Sequence, residues 1–139
     1  MRFWDTSAIG PLLWEEAGSF KRSTELEQDP LMVIWWGTLV EIESALCRKK
    51  IGNQMDENNE EYARARLKVL ADAWVEIEPS YLLREIARRL IRVHNLRAAD
   101  SFQLAAALVA CGNVPESHIF LSDDLRLKSA AAKEGFLCR

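Results

Sequence analysis

The segment Leu31 to Trp36 reads LMVIWW and is apolar at every position. A strand with one wet face alternates polar and apolar residues. One that is apolar throughout is covered on both faces, as the interior strand of a parallel sheet is. The rest of the chain supplies what such a strand needs, because short apolar segments alternate with helical stretches from end to end. Arg2 to Trp4 is a brief strand, and Asp5-Thr6-Ser7 supplies the capping signal for a helix with Pro11 in its early turns. Ser19 opens a second helix that ends near Asp29-Pro30. Thr38 opens a helix to about Lys50, with Leu39, Ile42 and Leu46 on one face and Ala45 beside them. After the loop IGNQMDENN, a charged helix is expected from about Glu60 to Trp74. Val75 to Ile77 is a strand closed by Pro79, and Tyr81 to Asn95 is a helix with Leu83, Ala87 and Leu90 inward. Ala98 to Cys111, apolar nearly all round and ended by Gly112, reads as a helix buried mid-domain. His118 to Leu121 is a strand, Asp124 to Glu134 a helix, and Phe136 to Cys138 a terminal strand.

This alternation predicts an α/β three-layer sandwich, a mainly parallel central sheet flanked by helices. Right-handed crossovers place the strand-to-helix turns along one sheet edge, and ligands of such sheets bind at the carboxyl ends of the strands. A length of 139 residues suits one domain over residues 1–139, with a core that needs no disulfides. The three cysteines, Cys47, Cys111 and Cys138, are far apart and form no C-x-x-C pair. They read as core thiols of a reduced protein rather than as a zinc or disulfide framework. No signal peptide or membrane-length apolar run is evident, so a cytoplasmic protein with no membrane partner is expected. The net charge of -3 means that any nucleic-acid binding rests on a local patch, or on metals that reverse the sign of an acidic pocket.

Four acids take their meaning from the expected sheet edge. Asp5 follows the first strand, Glu41 lies in the first turn of the helix after LMVIWW, and Asp124 starts the helix after the fourth strand. Asp100 opens the apolar helix among Ala98, Ala99, Phe102 and Leu104, where an unpaired charge is costly. Singly, each has a structural reading: Asp5 and Asp124 as N-caps, Glu41 as a favourable charge near a helix N-terminus. Together, converging within a few ångströms, they would repel one another and raise each other's pKa. Hard divalent cations such as Mg²⁺ or Mn²⁺ relieve that repulsion, and ions so placed serve phosphodiester chemistry. His94 and His118 are isolated and read as core-edge or surface residues. Glu43 rivals Glu41, since the two flank the apolar face on opposite sides and periodicity does not choose between them.

In order along the chain stand D-T-S (Asp5 to Ser7), T-L-V-E-I-E-S-A-L (Thr38 to Leu46), L-R-A-A-D-S-F-Q-L-A-A-A-L (Leu96 to Leu108) and F-L-S-D-D-L-R-L (Phe120 to Leu127). This set resembles the PIN domain, and more narrowly the nuclease toxins of VapBC-type toxin–antitoxin pairs. The resemblance spans essentially the whole chain. It implies a Mg²⁺- or Mn²⁺-dependent endoribonuclease with Asp5, Glu41, Asp100 and Asp124 as the catalytic acids, of which Asp5, Asp100 and Asp124 hold metal. Within it, Ser7 matches the small polar residue that supports the first acid. Ser122 matches the Ser/Thr two residues before the last. Asp123 departs from the pattern, where many relatives carry a non-acidic residue, and it competes with Asp124 for the fourth place; the S-x-D-x-x-L spacing through Leu127 selects Asp124. The motif also selects Glu41 over Glu43. Gln103, one turn beyond Asp100, is either a support of the site or an ordinary buried amide. The resemblance further implies a homodimer blocked by a small cognate antitoxin.

For the RNA substrate itself, Arg84, Arg88 and Arg92 form a stripe on one helix with Arg97 just beyond, a candidate phosphate-binding strip. A solvated face with a Glu85–Arg89 pair explains the stripe as well. Arg48, Lys49 and Lys50 suit the negative end of a helix dipole. Of the five tryptophans, Trp35 and Trp36 are expected in the core, and Trp14 and Trp74 on a contact surface. Two other functions compete. An aspartate-based phosphatase would want a second acid where Ser7 stands. A catalytically silent RNA- or protein-binding module would use the same acids only as caps.

Overall fold

A computed structural model describes residues 1–139. Five strands form one all-parallel sheet: β1 (Arg2–Trp4), β2 (Val33–Trp35), β3 (Val75–Ile77), β4 (Ile119–Leu121) and β5 (Leu137–Cys138), in the order β3-β2-β1-β4-β5. Seven helices connect them: α1 (Thr6–Leu13), α2 (Ser19–Gln28), α3 (Thr38–Ile51), α4 (Glu57–Ala71), α5 (Tyr81–His94), α6 (Ala98–Ala110) and α7 (Leu125–Glu134). The expected α/β three-layer sandwich is therefore the architecture of this chain.

Strand periodicity explains the two core layers. Side chains of a strand alternate between the faces of the sheet. Phe3, Val33, Trp35 and Phe120 point to one face, where they meet Leu83, Ala87 and Leu90 of α5, the alanine-rich run of α6, and Leu127 and Ala131 of α7. Trp4, Ile34 and Leu121 point to the other and meet α1, α3 and α4 through residues such as Ile9, Ile42 and Leu67. The all-apolar strand β2 is buried at each of its three positions, as a strand between two helical layers must be. Phe3 and Phe120, neighbours in register on β1 and β4, stack with centroids 5.5 Å apart.

Several local expectations are corrected by burial. Helix α4 starts three residues early, at Glu57, because Asp56 accepts the Asn59 amide and caps it. Leu39 is exposed; Ile42 and Leu46, with buried Thr38, form the inner face of α3. Trp36 lies past the end of β2 and is half exposed, whereas Trp35 is buried. Trp14 and Trp74 are half-buried beyond the ends of their helices, each donating its indole N–H to an acid, Glu16 or Glu76. Cys47 is exposed on α3, so it is no core thiol. Glu85 pairs with Arg88, three residues on, and Arg89 reaches Glu134 instead. No helix is long and apolar enough to cross a membrane.

The sheet centre should carry the stability. Phe120→Ala, at a fully buried ring, is expected to cost about 3–5 kcal/mol in urea unfolding. The same truncation at exposed Leu82 should cost under about 0.5 kcal/mol.

Candidate active site

Strand order reverses at β1, whose chain leads through α1 and α2 to β2 on one side while β4 lies on the other. Ligand clefts of open α/β sheets form at such a point, beyond the carboxyl ends of the strands. Asp5 follows β1 and caps α1; Asp124 follows β4 and caps α7, accepting the Leu127 amide at 2.8 Å. Glu41 comes from the first turn of α3 and Asp100 from the first turn of α6. All four, with Asp123, line one cavity of about 680 Å³. Glu43 does not: it is exposed and held by Arg64 at 2.8 Å, so the fold puts Glu41 rather than Glu43 in the cavity.

Asp5 is the buried member, and the two predicted supporting serines both reach it. Its Oδ2 accepts the Ser7 amide at 3.2 Å, the Ser7 hydroxyl, and the Ser122 hydroxyl at 3.0 Å. The same hydroxyls accept in turn. Ser7 Oγ takes the Asp123 amide at 2.9 Å, and Ser122 Oγ takes the Asp124 amide at 3.1 Å. Two serines thus tie the turn after β1 to the turn after β4. Burial pushes the Asp5 carboxyl up to about 6, against the lowering effect of these hydrogen bonds, and the charge of Glu41 adds to the rise.

Glu41 is held from two sides. Thr6 donates its hydroxyl at 2.7 Å, and the buried Gln103 amide nitrogen lies 3.2 and 3.3 Å from the two carboxylate oxygens. Gln103 also reaches Thr6 and Thr38, so the amide is part of the site's support. Desolvation raises the Glu41 carboxyl too, with Asp100 contributing through its charge. Asp100 is half-buried, and Ala98 and Ala99 beside it are exposed, so its setting is less apolar than its neighbours imply. Burial raises its carboxyl as well, Asp124 raises it further, and Arg97 and Arg126 pull it down.

Asp123 and Asp124 separate by partner. Asp123 is gripped by the guanidinium of Arg22, a fully buried side chain that also donates to the Ser122 carbonyl at 2.9 Å. Asp124 has no ion pair; its charge is felt by Asp100 instead. Arg22 was not legible as a site residue, since its helix α2 carries no motif and only the fold brings it under the loop after β4.

The acids do not crowd one another. No three His, Cys, Asp or Glu side chains stand close enough together to hold an ion directly. Four of the five acids are turned toward protein donors, Asp5 to the serines, Glu41 to Thr6 and Gln103, Asp123 to Arg22 and Asp124 to its own helix, whereas Asp100 accepts no hydrogen bond and feels only the charges of Asp124, Arg97 and Arg126. The carboxylates surround a cavity without closing into a ligand cage.

The basic residues divide likewise. Arg84, Arg88 and Arg92 are exposed on α5, and Arg84 and Arg88 share Glu85. Arg97 stands near enough to act on Asp100. Arg48, assigned above to the dipole of α3, lines the acidic cavity, as does Trp14 with Lys49 packed 4.9 Å from its ring centre.

No protein-family model matches this sequence, and no curated protein matches it. Among solved structures, the chain is similar to one described as the crystal structure of PAE2754 from Pyrobaculum aerophilum. The two are 20% identical, with a TM-score of 0.65 over 99% of this chain and 87% of the other. At that identity the likeness concerns the fold, the α/β sandwich described above.

The burial of Asp5 has a measurable sign. Its folded pKa lies above the unfolded value, so the neutral form is favoured on folding. That stability is full below about pH 4 and is lost as pH rises through about 6, roughly 3 kcal/mol in all. Wild-type melting temperature, measured without divalent ions, should fall across this window. Asp5→Asn should flatten the fall and equal or exceed wild type at pH 8.

Proposed function

We propose that the protein is a divalent-metal-dependent endoribonuclease. The observation that carries this reading is the convergence of Asp5, Glu41, Asp100 and Asp124, from four separate elements, on one cavity at the switch point of the sheet. The donor set is all oxygen, which suits Mg²⁺ or Mn²⁺. Asp5 takes its side-chain hydrogen bonds on Oδ2, which leaves Oδ1 for a cation. Mg²⁺ keeps several waters and is commonly bound through one or two carboxylates, so open spacing suits a hydrated ion. Asp5, Asp100 and Asp124 would hold it, with Glu41 alongside. A divalent ion there supplies Lewis-acid stabilisation to charge building on the phosphodiester and its leaving oxygen.

The chain's own groups supply the rest. Arg48 on the cavity wall, and Arg97 and Arg126 near Asp100, attract the backbone phosphates that an acidic pocket alone would repel. Glu41, fixed by Thr6 and Gln103 and raised above the usual carboxylate range, is suited to hold or accept a proton near the scissile bond. The Ser7–Asp5–Ser122 lock keeps the turns after β1 and β4 in register while substrate binds.

The finer reading is a toxin of a toxin–antitoxin pair, acting in the cytoplasm as a homodimer. Its support is the motif set quoted above. An antitoxin would block the cavity by presenting a basic side chain, because arginine and Mg²⁺ compete for the same carboxylate oxygens. A second reading, the silent RNA- or protein-binding module, is favoured by the absence of three acids within direct ligating distance.

Single-stranded RNA incubated with purified protein and Mn²⁺ or Mg²⁺ decides between them. Wild type should give discrete fragments that disappear with chelator, and Asp100→Asn should cut at least about a hundredfold more slowly with its fold intact. Expressed alone, wild type should slow growth and Asp5→Asn should not. Intact RNA in every lane, with protein shown to be folded, would leave the binding module.

A further inference from the structure

A second cavity, of about 410 Å³, opens beyond the ends of β2 and β3, lined among others by Trp35, Phe102, Tyr81, Arg84 and Pro79. The volume lies within the range of small-ligand sites. Its character is opposite to that of the acidic cavity, for it contains no carboxylate and three aromatic rings. Trp35 and Phe102 stack on each other, 9° from parallel with centroids at 5.6 Å, and this stacked pair borders the cavity. The Arg84 guanidinium sits 4.7 Å over the Tyr81 ring, a planar cation already placed on an aromatic face. Glu85 compensates that charge only in part, because its carboxylate is bound by Arg88 at 2.9 Å and approaches Arg84 to 3.9 Å. Gly37 makes the arrangement feasible. A Cβ at that position would stand 2.5 Å from the Trp35 indole nitrogen, so any larger residue would push the ring out of place.

The two cavities meet across one helical turn. Asp100 lines the acidic one and Phe102 the aromatic one. Residues two apart on a helix point to nearly opposite sides, so the first turn of α6 is the partition between them. Its thickness, roughly 10 Å, is the length of about three stacked nucleotides of one strand.

We propose that the aromatic cavity is a base-binding subsite for single-stranded RNA, holding an unpaired nucleobase a few nucleotides from the bond presented to the acids. Aromatic rings and an arginine plane are the groups on which unstacked bases lie. The inference rests on the ribonuclease reading for what happens at the acidic cavity, but base binding is measurable without it. A duplex cannot offer a base to this cavity without unpairing, so the subsite selects single strands.

The test uses wild-type protein in chelator, where no metal-dependent cutting occurs. Fluorescence anisotropy measures binding of a short labelled oligoribonucleotide, its duplex, and the same strand with abasic positions. The abasic strand carries the same phosphates without the bases. Wild type should bind the intact strand at least about fivefold more tightly than either of the others. Tyr81→Ala, Arg84→Gln and Phe102→Leu should each remove at least about half of that preference; the first two change exposed side chains, and the third keeps bulk while losing the ring. Equal affinity for intact and abasic strands, or no binding of the intact strand, overturns the subsite. So does a preference left unchanged in all three variants. If the variants instead shift only the sedimentation coefficient, the cavity is a contact face for a second copy and the proposal is wrong. Preference for the intact strand together with no cleavage under Mn²⁺ would sustain the subsite while removing the nuclease.

Discussion

The carboxylate of Asp5 is the point on which the rest of the site depends. It is nearly inaccessible to solvent, and the two serine hydroxyls that satisfy it belong to different turns of the chain. Each hydroxyl also accepts a backbone amide of the other loop or of its own, Ser7 from Asp123 and Ser122 from Asp124. Moving Asp5 would therefore release both turns at once. A buried acid costs folding free energy, and hydroxyl donors recover only part of it, since its pKa remains raised. The remaining deficit is what a cation at the free oxygen would offset.

Around this lock the other acids are arranged by topology rather than by contact. Parallel strands with right-handed crossovers bring every strand end to one edge, so acids distant in sequence share a cavity. Asp5, Glu41 and Asp124 are each held by their own donors, and Asp100 stands half-buried without one. The result is an acidic cleft of about 680 Å³, with room for a hydrated ion. The buried Arg22 completes it from below. By holding the Ser122 carbonyl and the Asp123 carboxylate, it ties down the loop that carries Asp124 and pairs the charge of Asp123.

Much of this was legible in the sequence because the signals were strong physical ones. LMVIWW announced a strand covered on both faces, and β2 is buried throughout. Strand-then-acid order gave the sheet edge, and the four acids indeed line one cavity there. What escaped had no local signal. Trp36 looks like a core residue but follows the end of the strand, where the alternation no longer applies. Arg22 is an unremarked arginine on a polar helix until the fold brings α2 under the loop after β4. Arg48 satisfied a helix-dipole argument completely, which concealed that its side chain also reaches the cavity. The distance between the acids could not be read either, because it depends on which donor each carboxylate finds.

The most direct measurement of the central claim, that the acids at the switch point form one cation-binding cleft, is paramagnetic. Mn²⁺ titrated into isotope-labelled, folded protein broadens the amide resonances nearest the ion. Broadening should begin at the turns after β1 and β4 and at the first turns of α3 and α6, and excess Mg²⁺ should reverse it. Asp5→Asn and Asp100→Asn should each weaken it. Broadening that starts instead at the exposed acids of α4, Glu57 and Glu61, or that spreads evenly over the surface, would contradict the account.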